Sequence, residues 1–276
     1  MTSNRQSVNL NKYISATGIC SRREAEKFII AGNVTINGKV AQLGNRVFRG
    51  DLVRVNGKPL KAKPKKIYIA LNKPIGIVCT TDTKEHKNII KYVNHSERLF
   101  PIGRLDKPSE GLIFLTNDGD IVNKILRAGN NHQKEYVVTV DKLIDDIFIQ
   151  KMSNGIPILD TITKKCNVSK INHYTFNITL AQGLNRQIRR MCEYLGYEVI
   201  KLKRVRIMNV QLGNLKVGEW RELSEKEIHM IHSMVHSSSS MVHSSSKTEE
   251  ASVDKKKNIS FGPKFPGNRR RSRRKS

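Results

Sequence analysis

This chain of 276 residues lacks several features that define other protein classes. Its four cysteines are far apart, which argues against a disulfide framework and against a zinc site, and fits a reducing compartment. No apolar run of signal-peptide length opens the sequence, and residues 67–71, among the longest apolar runs, are far too short to cross a bilayer. Gly-x-Gly-x-x-Gly and Walker-type phosphate loops are also absent. We therefore expect a cytoplasmic protein with no membrane association, no metal site and no cofactor.

Acidic residues are scarce relative to basic ones. Lys and Arg number 50 against 24 Asp and Glu, which gives a net charge of +26. Residues 247–276 account for +8 of this charge, so the other 246 residues keep +18 and the excess is not confined to a tail. Such a balance favours nucleic acid as the partner over an acidic membrane surface or protein, with strongly salt-dependent binding. We expect the protein to act as a monomer.

The N-terminal region, residues 7–60, has the pattern of two short helices followed by a small sheet. Ser21 and Glu24 form a capping-box pattern at the start of the second helix. Asn37-Gly38 and Asn56-Gly57 are dipeptides typical of tight hairpin turns. Three basic residues of the helical part could share an RNA-binding surface or simply form a solvated face: Lys12, Arg22 and Arg23.

Two composition changes predict further boundaries. Residues 61–66 are charged and contain proline, as expected of a linker. Residues 67–230 contain apolar or alternating segments with helical patterns between them, too irregular for a doubly wound sheet. We predict an α+β domain on a large, mainly antiparallel mixed sheet. Residues 231–276 contain Ser-Met-Val-His repeats and a basic end, and are predicted to be a disordered low-complexity tail.

Asp106 is the leading candidate for chemistry. It lies in the loop Gly-Arg-Leu-Asp-Lys-Pro-Ser-Glu-Gly, residues 103–111, just before the apolar segment 112–115. A bare Asp-Lys-Pro would usually be only a turn. Here Arg104 could keep the carboxylate ionised, and a rigid strand would give the loop a firm base.

Two further segments could serve a nucleotide. Tyr136 shares one face of a predicted strand with Val138 and Val140; it could be sheet core or a platform on which a base stacks. Residues 185–195 predict an amphipathic helix with arginines opposite its apolar stripe. Lys201, Lys203, Arg204 and Arg206 are predicted to extend this positive surface along a strand.

Four ordered motifs resemble those of a known family. They are Asn72-Lys-Pro-Ile-Gly76, Gly103-Arg-Leu-Asp106, Lys134-Glu-Tyr136 and Gln182-Gly-Leu-Asn-Arg-Gln-Ile-Arg-Arg-Met191. Together they resemble the bacterial ribosomal RNA pseudouridine synthases of the RsuA, RluB, RluE and RluF branch. Within it, residues 18–25 and the Arg-Ala-Gly-Asn run at 127–130 are most similar to the RluF members. Residues 7–60 resemble the alpha-L module shared with ribosomal protein S-four.

The resemblance implies a site and a reaction. A uridine of structured RNA would be flipped into a pocket and isomerised, most plausibly in large-subunit (23S) ribosomal RNA, with a transfer-RNA anticodon stem-loop as another possible target. Asp106 would be the catalytic aspartate; attack on the sugar, attack on the ring and proton abstraction are all compatible with the sequence. Tyr136 would stack on the base, and Arg189 would pair with Asp106, in preference to its neighbours. The remaining RNA-binding candidates are Lys73, Arg104, Leu105, Lys107, Arg186, Gln187, Ile188 and Arg190.

Two other functions use the same residues. A non-catalytic ribosome-binding assembly factor would need only the basic surfaces. An RNA glycosidase would need a second carboxylate near Asp106 to activate water, for which Glu110, Asp118 and Glu135 are candidates.

Overall fold

The computed structural model describes residues 7–126 and 132–236. The Arg-Ala-Gly-Asn run at 127–130 and the chain beyond residue 236 lie outside the described residues. The helices are α1 (Leu10–Ser15), α2 (Arg22–Ile30), α3 (Ile89–Val93), α4 (Gly119–Leu126), α5 (Asp146–Asn154), α6 (Gln187–Tyr194) and a last helix, α7, over residues 225–236. The strands are β1 (Ser7–Asn9), β2 (Val34–Ile36), β3 (Lys39–Val40), β4 (Arg46–Phe48), β5 (Val53–Val55), β6 (Lys58–Pro59), β7 (Tyr68–Lys73), β8 (Phe100–Ile102), β9 (Glu110–Thr116), β10 (Lys134–Val140), β11 (Pro157–Ile158), β12 (Thr161–Ile162), β13 (Asn167–Asn172), β14 (Thr175–Leu180), β15 (Val199–Ile207), β16 (Val210–Gln211) and β17 (Trp220–Glu222).

The N-terminal domain forms through local signals. Ser21 accepts from the Glu24 backbone N–H, and Glu24 accepts in return from Ser21 N at 2.7 Å, so the predicted capping box is present. Asn37 and Asn56 both have positive φ, as do the glycines that follow them, and these turns join β2 to β3 and β5 to β6. The four-stranded sheet has the order β3-β2-β5-β6.

The second domain is organised on one nine-stranded sheet. Its strands run in the order β13-β14-β10-β15-β9-β7-β17, with β16 paired to β15 and β8 to β9. All of these pairs are antiparallel except β9 with β15. The predicted α+β architecture with a mainly antiparallel mixed sheet is therefore confirmed.

Both faces of this sheet are covered. Along β7, Tyr68 and Ala70 pack into a cluster with Ile121 and Ile125 of α4, whereas Ile69 and Leu71 pack into another with Ile89 and Val93 of α3. Since side chains alternate along a strand, the two clusters lie on opposite faces. A third cluster joins β10, β14 and β15 to α5 and α6. Such burial makes the sheet a rigid support for the loops at its edges.

The predicted start of the tail at residue 231 is wrong. Helix α7 continues through residue 236, and Ile231 and Val235 are buried in the cluster that also holds Tyr68. The error arose because the first Ser-Met-Val-His repeat obscures the i, i+4 spacing of these two apolar residues. The described residues up to Val235 belong to one compact unit.

No helix within the described ranges, 7–126 and 132–236, is long and apolar enough to traverse a bilayer.

Candidate active site

A cavity of about 430 Å³ opens between four parts of the sheet domain. Its walls come from the loop between β8 and β9, from β10, from the segment that joins β14 to α6, and from β15. Asp106, Tyr136, Arg186 and Arg189 all line it. The structure thus brings the three predicted catalytic residues into one cavity, although they are separated by up to 83 positions in the sequence.

Asp106 has a different ion-pair partner from the one expected. Its Oδ2 lies 3.9 Å from Nη1 of Arg186, and its side chain is 34% exposed. Among the ion pairs of the described residues, neither Arg104 nor Arg189 is joined to it. Arg186 is the N-cap of α6 and has a left-handed backbone conformation (φ 49°, ψ 34°), which sets its direction at the helix start. In this structure Arg186, and not Arg189, is within ion-pair distance of Asp106, and the pairing of Arg189 with Asp106 stays a prediction.

Arg189 instead fixes the loop that carries Asp106. Its guanidinium donates to Val199 O at 3.0 Å, and to Pro108 O and Ser109 Oγ at 3.3 Å each. Burial and the neighbouring Arg186 lower its pKa, and Asp106 acts in the opposite direction. Arg189 thus connects the loop to the start of β15. It influences Asp106 by holding this loop in position and through the electrostatic field of its own charge.

Lys73 is a support within the protein. It is fully buried, and Nζ donates to Pro74 O at 2.8 Å and to Ile77 O at 2.9 Å. Burial lowers its pKa, while Cys79 and Asp106 raise it. Of the two roles expected for Lys73, support of the pocket or of a phosphate, the burial and the hydrogen bonds to main-chain carbonyls agree with support of the pocket.

Three other RNA-binding candidates have buried side chains. Gln187 is 4% exposed, and its Oε1 accepts from Leu184 N at 3.0 Å, so it closes the turn before α6. Ile188 and Leu105 line the cavity but belong to the hydrophobic clusters behind it. Ile188 lies on the apolar stripe predicted for α6, and a role of these three residues in binding RNA at the cavity stays a prediction.

The remaining candidates lie nearer the surface. Arg104, Lys107, Arg22 and Arg23 are exposed. Arg190 is half-buried, and its Nε donates to Asn185 O at 3.1 Å. Lys12 forms an ion pair with Asp120 of α4, so part of its charge is neutralised within the protein.

Sequence reasoning missed two cations at the inner wall of the cavity. Lys134 precedes Tyr136 by two positions on β10, and Arg204 is the cross-strand neighbour of Tyr136 on β15. Arg204 had been predicted on a positive surface, but it is only 3% exposed. Arg204 is buried because the pairing of β10 with β15 shifts register between Glu135 and Tyr136. The amino-acid pattern does not predict this shift.

Comparison with known proteins identifies the family. The family described as RNA pseudouridylate synthase matches residues 67–194, and the S4 domain matches residues 8–53. A dual-specificity RNA pseudouridine synthase RluF of Salmonella typhi is 54% identical over 284 residues, which is 97% of this chain and 98% of that protein. The chain belongs to the RNA pseudouridine synthase family. The resemblance to the RluF members is confirmed, and the enzyme isomerises uridine in RNA to pseudouridine.

More distant pseudouridine synthases agree with this assignment. A ribosomal large subunit pseudouridine synthase B of Bacillus subtilis (strain 168) is 33% identical over 234 residues, covering 82% of this chain and 96% of that protein. A crystal structure of a pseudouridylate synthase, 28% identical, has a TM-score of 0.60 and covers 81% of this chain and 99% of its own. These relationships exclude the interpretation as a non-catalytic assembly factor.

The carboxylates distinguish a pseudouridine synthase from an RNA glycosidase. Glu135 accepts from Arg206 Nε at 2.8 Å, and Asp118 accepts from Tyr68 and pairs with Lys66. Among the described residues, Asp106 is the one carboxylate that lines the cavity. This part of the chain therefore offers no second acid at the cavity to activate a water molecule.

Proposed function

We propose that this pseudouridine synthase modifies a specific uridine in a structured stem-loop of large-subunit ribosomal RNA. The name of the Bacillus subtilis relative supports this RNA class. The N-terminal domain and the exposed cations near the cavity would bind the phosphates around the target. The observation that carries the proposal is Asp106, the one carboxylate among the described residues that line the cavity, beside Arg186 and within the same walls as Tyr136.

The proposed reaction starts with a flipped uridine in this cavity. Asp106 promotes cleavage of the bond between N1 of uracil and C1′ of ribose, and the electron pair of that bond stays on the ring. The ring turns, C5 bonds to C1′, the C5 proton leaves and N1 gains a proton. Tyr136 stacks on the base and helps to remove the C5 proton, whereas Arg189 keeps the Asp106 loop in place.

Replacing the carboxylate tests the assignment of Asp106. We expect Asp106→Asn to lower the rate of pseudouridine formation at least about 1,000-fold, because a neutral amide can neither attack nor accept a proton. Asp146→Asn, at an exposed carboxylate of α5 outside the cavity, is the matched control and should keep the wild-type rate. The measurement is tritium release from RNA labelled at C5, with thermal unfolding and RNA binding recorded for each variant.

Two results would contradict this role. One is an Asp106→Asn protein that is folded, binds RNA and still forms pseudouridine at the wild-type rate. The other is a change in RNA mass after treatment with wild-type protein, since isomerisation preserves the mass and hydrolysis leaves an abasic site.

A transfer-RNA anticodon stem-loop is the second target that we propose. The name of the Salmonella typhi relative, with its words "dual-specificity", favours two RNA classes. Pseudouridine mapping of total RNA from cells with and without the gene should lose one site in each class. Loss of sites in ribosomal RNA alone would remove the second target. We further propose that the enzyme acts in the cytoplasm as a monomer.

A further inference from the structure

A β-bulge builds the inner wall of the cavity. Glu135 of β10 pairs with Arg206 of β15, but the next residue, Tyr136, pairs with Arg204, so Val205 has no opposite residue. In a regular antiparallel ladder Val205 would face Tyr136; the bulge replaces it with a guanidinium, and such bulges often re-aim side chains beside active sites. The Arg204 guanidinium carbon lies 5.9 Å from the centre of the Tyr136 ring. Lys134 joins this group because residues two apart on a strand share a face.

The two cations have few partners in the protein. Arg204 Nε donates to Leu112 O at 2.6 Å, whereas its Nη2 is enclosed and donates to no atom of the described residues. Within the same part of the chain, Lys134 Nζ makes one long hydrogen bond, 3.3 Å, to His132 O. Neither side chain lies within ion-pair distance of a carboxylate in the part of the chain that the structure describes. Residues 127–131, which adjoin this wall in sequence, contain no acid either.

Such an arrangement is costly for folding alone. A buried charge without a counter-ion, and a buried donor without an acceptor, each reduce stability. Burial and the neighbouring Arg204 accordingly lower the pKa of Lys134 to about 8, which still leaves the amine mostly protonated at neutral pH. The Lys134 ammonium, which is only half-buried, is therefore available to donate to a ligand that brings oxygen acceptors into the cavity, and the positive charge of both residues favours negative charge on that ligand.

The flipped base of the proposed reaction is such a ligand. Uracil carries two carbonyl oxygens, and the electron pair that stays on the ring after N1–C1′ cleavage spreads onto them. We propose that Lys134 and Arg204 recognise the carbonyl oxygens of the flipped uracil and stabilise the negative charge of the detached ring. Lys134 donates a hydrogen bond to one of these oxygens. Arg204 contributes the electrostatic field of its positive charge and holds the Tyr136 ring in position. This proposal rests on the proposed function and assigns the part of the cavity that selects the base.

The inner wall also explains a preference for uracil over cytosine. Cytosine presents an amino group where uracil has its O4, so if O4 is the oxygen that Lys134 contacts, a donor of cytosine would face the ammonium and the ammonium would stay unpaired. A site that hydrogen-bonds a substrate group discriminates strongly against an analogue lacking it, because its own polar groups are left without partners.

Sulfur substitution in the RNA tests the proposal. The substrates are transcripts of the large-subunit ribosomal RNA made with uridine, 2-thiouridine or 4-thiouridine, since sulfur is a weaker hydrogen-bond acceptor than oxygen. The proteins are the full-length wild type, Lys134→Gln, Lys134→Arg and Arg204→Lys. Lys201→Gln is the control, because Lys201 is an exposed cation of the same strand, β15, outside the cavity.

With ordinary RNA, Lys134→Gln should lower kcat about 100-fold and change KM less than threefold, since the interaction forms fully only as charge develops. Lys134→Arg and Arg204→Lys keep the positive charge and should retain most of the wild-type kcat. At least one sulfur substitution should slow the wild type and Lys201→Gln about tenfold but slow Lys134→Gln less than twofold. Such non-additivity reports direct contact, which a purely structural role would not produce.

Each other outcome has one meaning. Equal tenfold sulfur effects in wild type and Lys134→Gln, or wild-type kcat in Lys134→Gln, would overturn this proposal alone, because the wild type would still make pseudouridine. A wild-type enzyme that is inactive on the ordinary transcript would overturn the proposed target, and this proposal with it. If Arg204→Lys fails to fold, the Lys134 variants still decide the question.

Discussion

The cations around the cavity form two groups that differ in how the protein holds them. The inner cations, Lys73, Lys134, Arg189 and Arg204, each donate to at least one main-chain carbonyl. The outer cations, Arg104, Lys107 and Arg186, are exposed and make no such bond among the described residues. Burial lowers the pKa of three of the inner four, Lys73, Lys134 and Arg189. A buried cation that donates to main-chain carbonyls keeps a fixed position beside the cavity. An exposed cation can change its conformation to contact the RNA phosphates.

A single methyl group added at Gly111 is the sharpest test of how the protein holds the inner cation Arg204. At Gly111 of β9, a Cβ atom would lie 2.3 Å from Arg204 O and 2.6 Å from Arg204 N, and φ is +107°. Because main-chain atoms cannot move aside as a side chain can, Gly111→Ala must separate β9 from β15 where these strands pair in parallel. We expect a loss of about 3 kcal/mol in the free energy of unfolding, measured by urea denaturation.

Gly196→Ala is the matched control for Gly111→Ala. Gly196 also has a positive φ, +79°, but an added Cβ would meet no atom within 4 Å. Its cost should be only that of the backbone conformation, about 1 kcal/mol. Equal losses in the two variants would show that crowding against Arg204 does not matter.

Arg189→Gln tests whether an inner cation controls geometry and not affinity. The variant loses the hydrogen bonds to Val199 O and to the Pro108–Ser109 segment, so the Asp106 loop is held less firmly. We expect kcat to fall about 100-fold, or about 2.7 kcal/mol, with RNA affinity within about threefold of the wild type. Steady-state kinetics and filter binding measure the two effects. A large loss of affinity with unchanged kcat would place Arg189 among the phosphate-binding residues instead.

The sequence predicted those parts of the molecule that depend on neighbouring residues. The capping box at Ser21, the Asn-Gly turns and the apolar stripe of α6 all formed as expected. Asp106 was identified because its loop has an informative composition and a family motif. These features are local, and a residue pattern of a few positions is enough to specify them.

The contacts that the sequence did not predict depend on strand register. The bulge at Val205 exists only when β10 and β15 pair, and it decides that Arg204 points into the cavity and not onto a surface. The choice between Arg186 and Arg189 as partner of Asp106 depends on the left-handed turn before α6. A shift of one residue in strand pairing moves every side chain of that strand to the opposite face of the sheet. The residue pattern of a single segment therefore does not determine such contacts.

The smallest predicted effect concerns the outer cations and separates them from the inner ones. Lys107 follows Asp106 directly, is exposed, and forms no ion pair in the described part of the chain. Lys107→Gln should weaken RNA binding about threefold at moderate salt and reduce the slope of log K against log salt by about one, because one phosphate contact is lost. The value of kcat should stay within about twofold of the wild type. The measurement is RNA affinity across a salt series, and an unchanged slope combined with a large drop in kcat would place Lys107 with the inner cations.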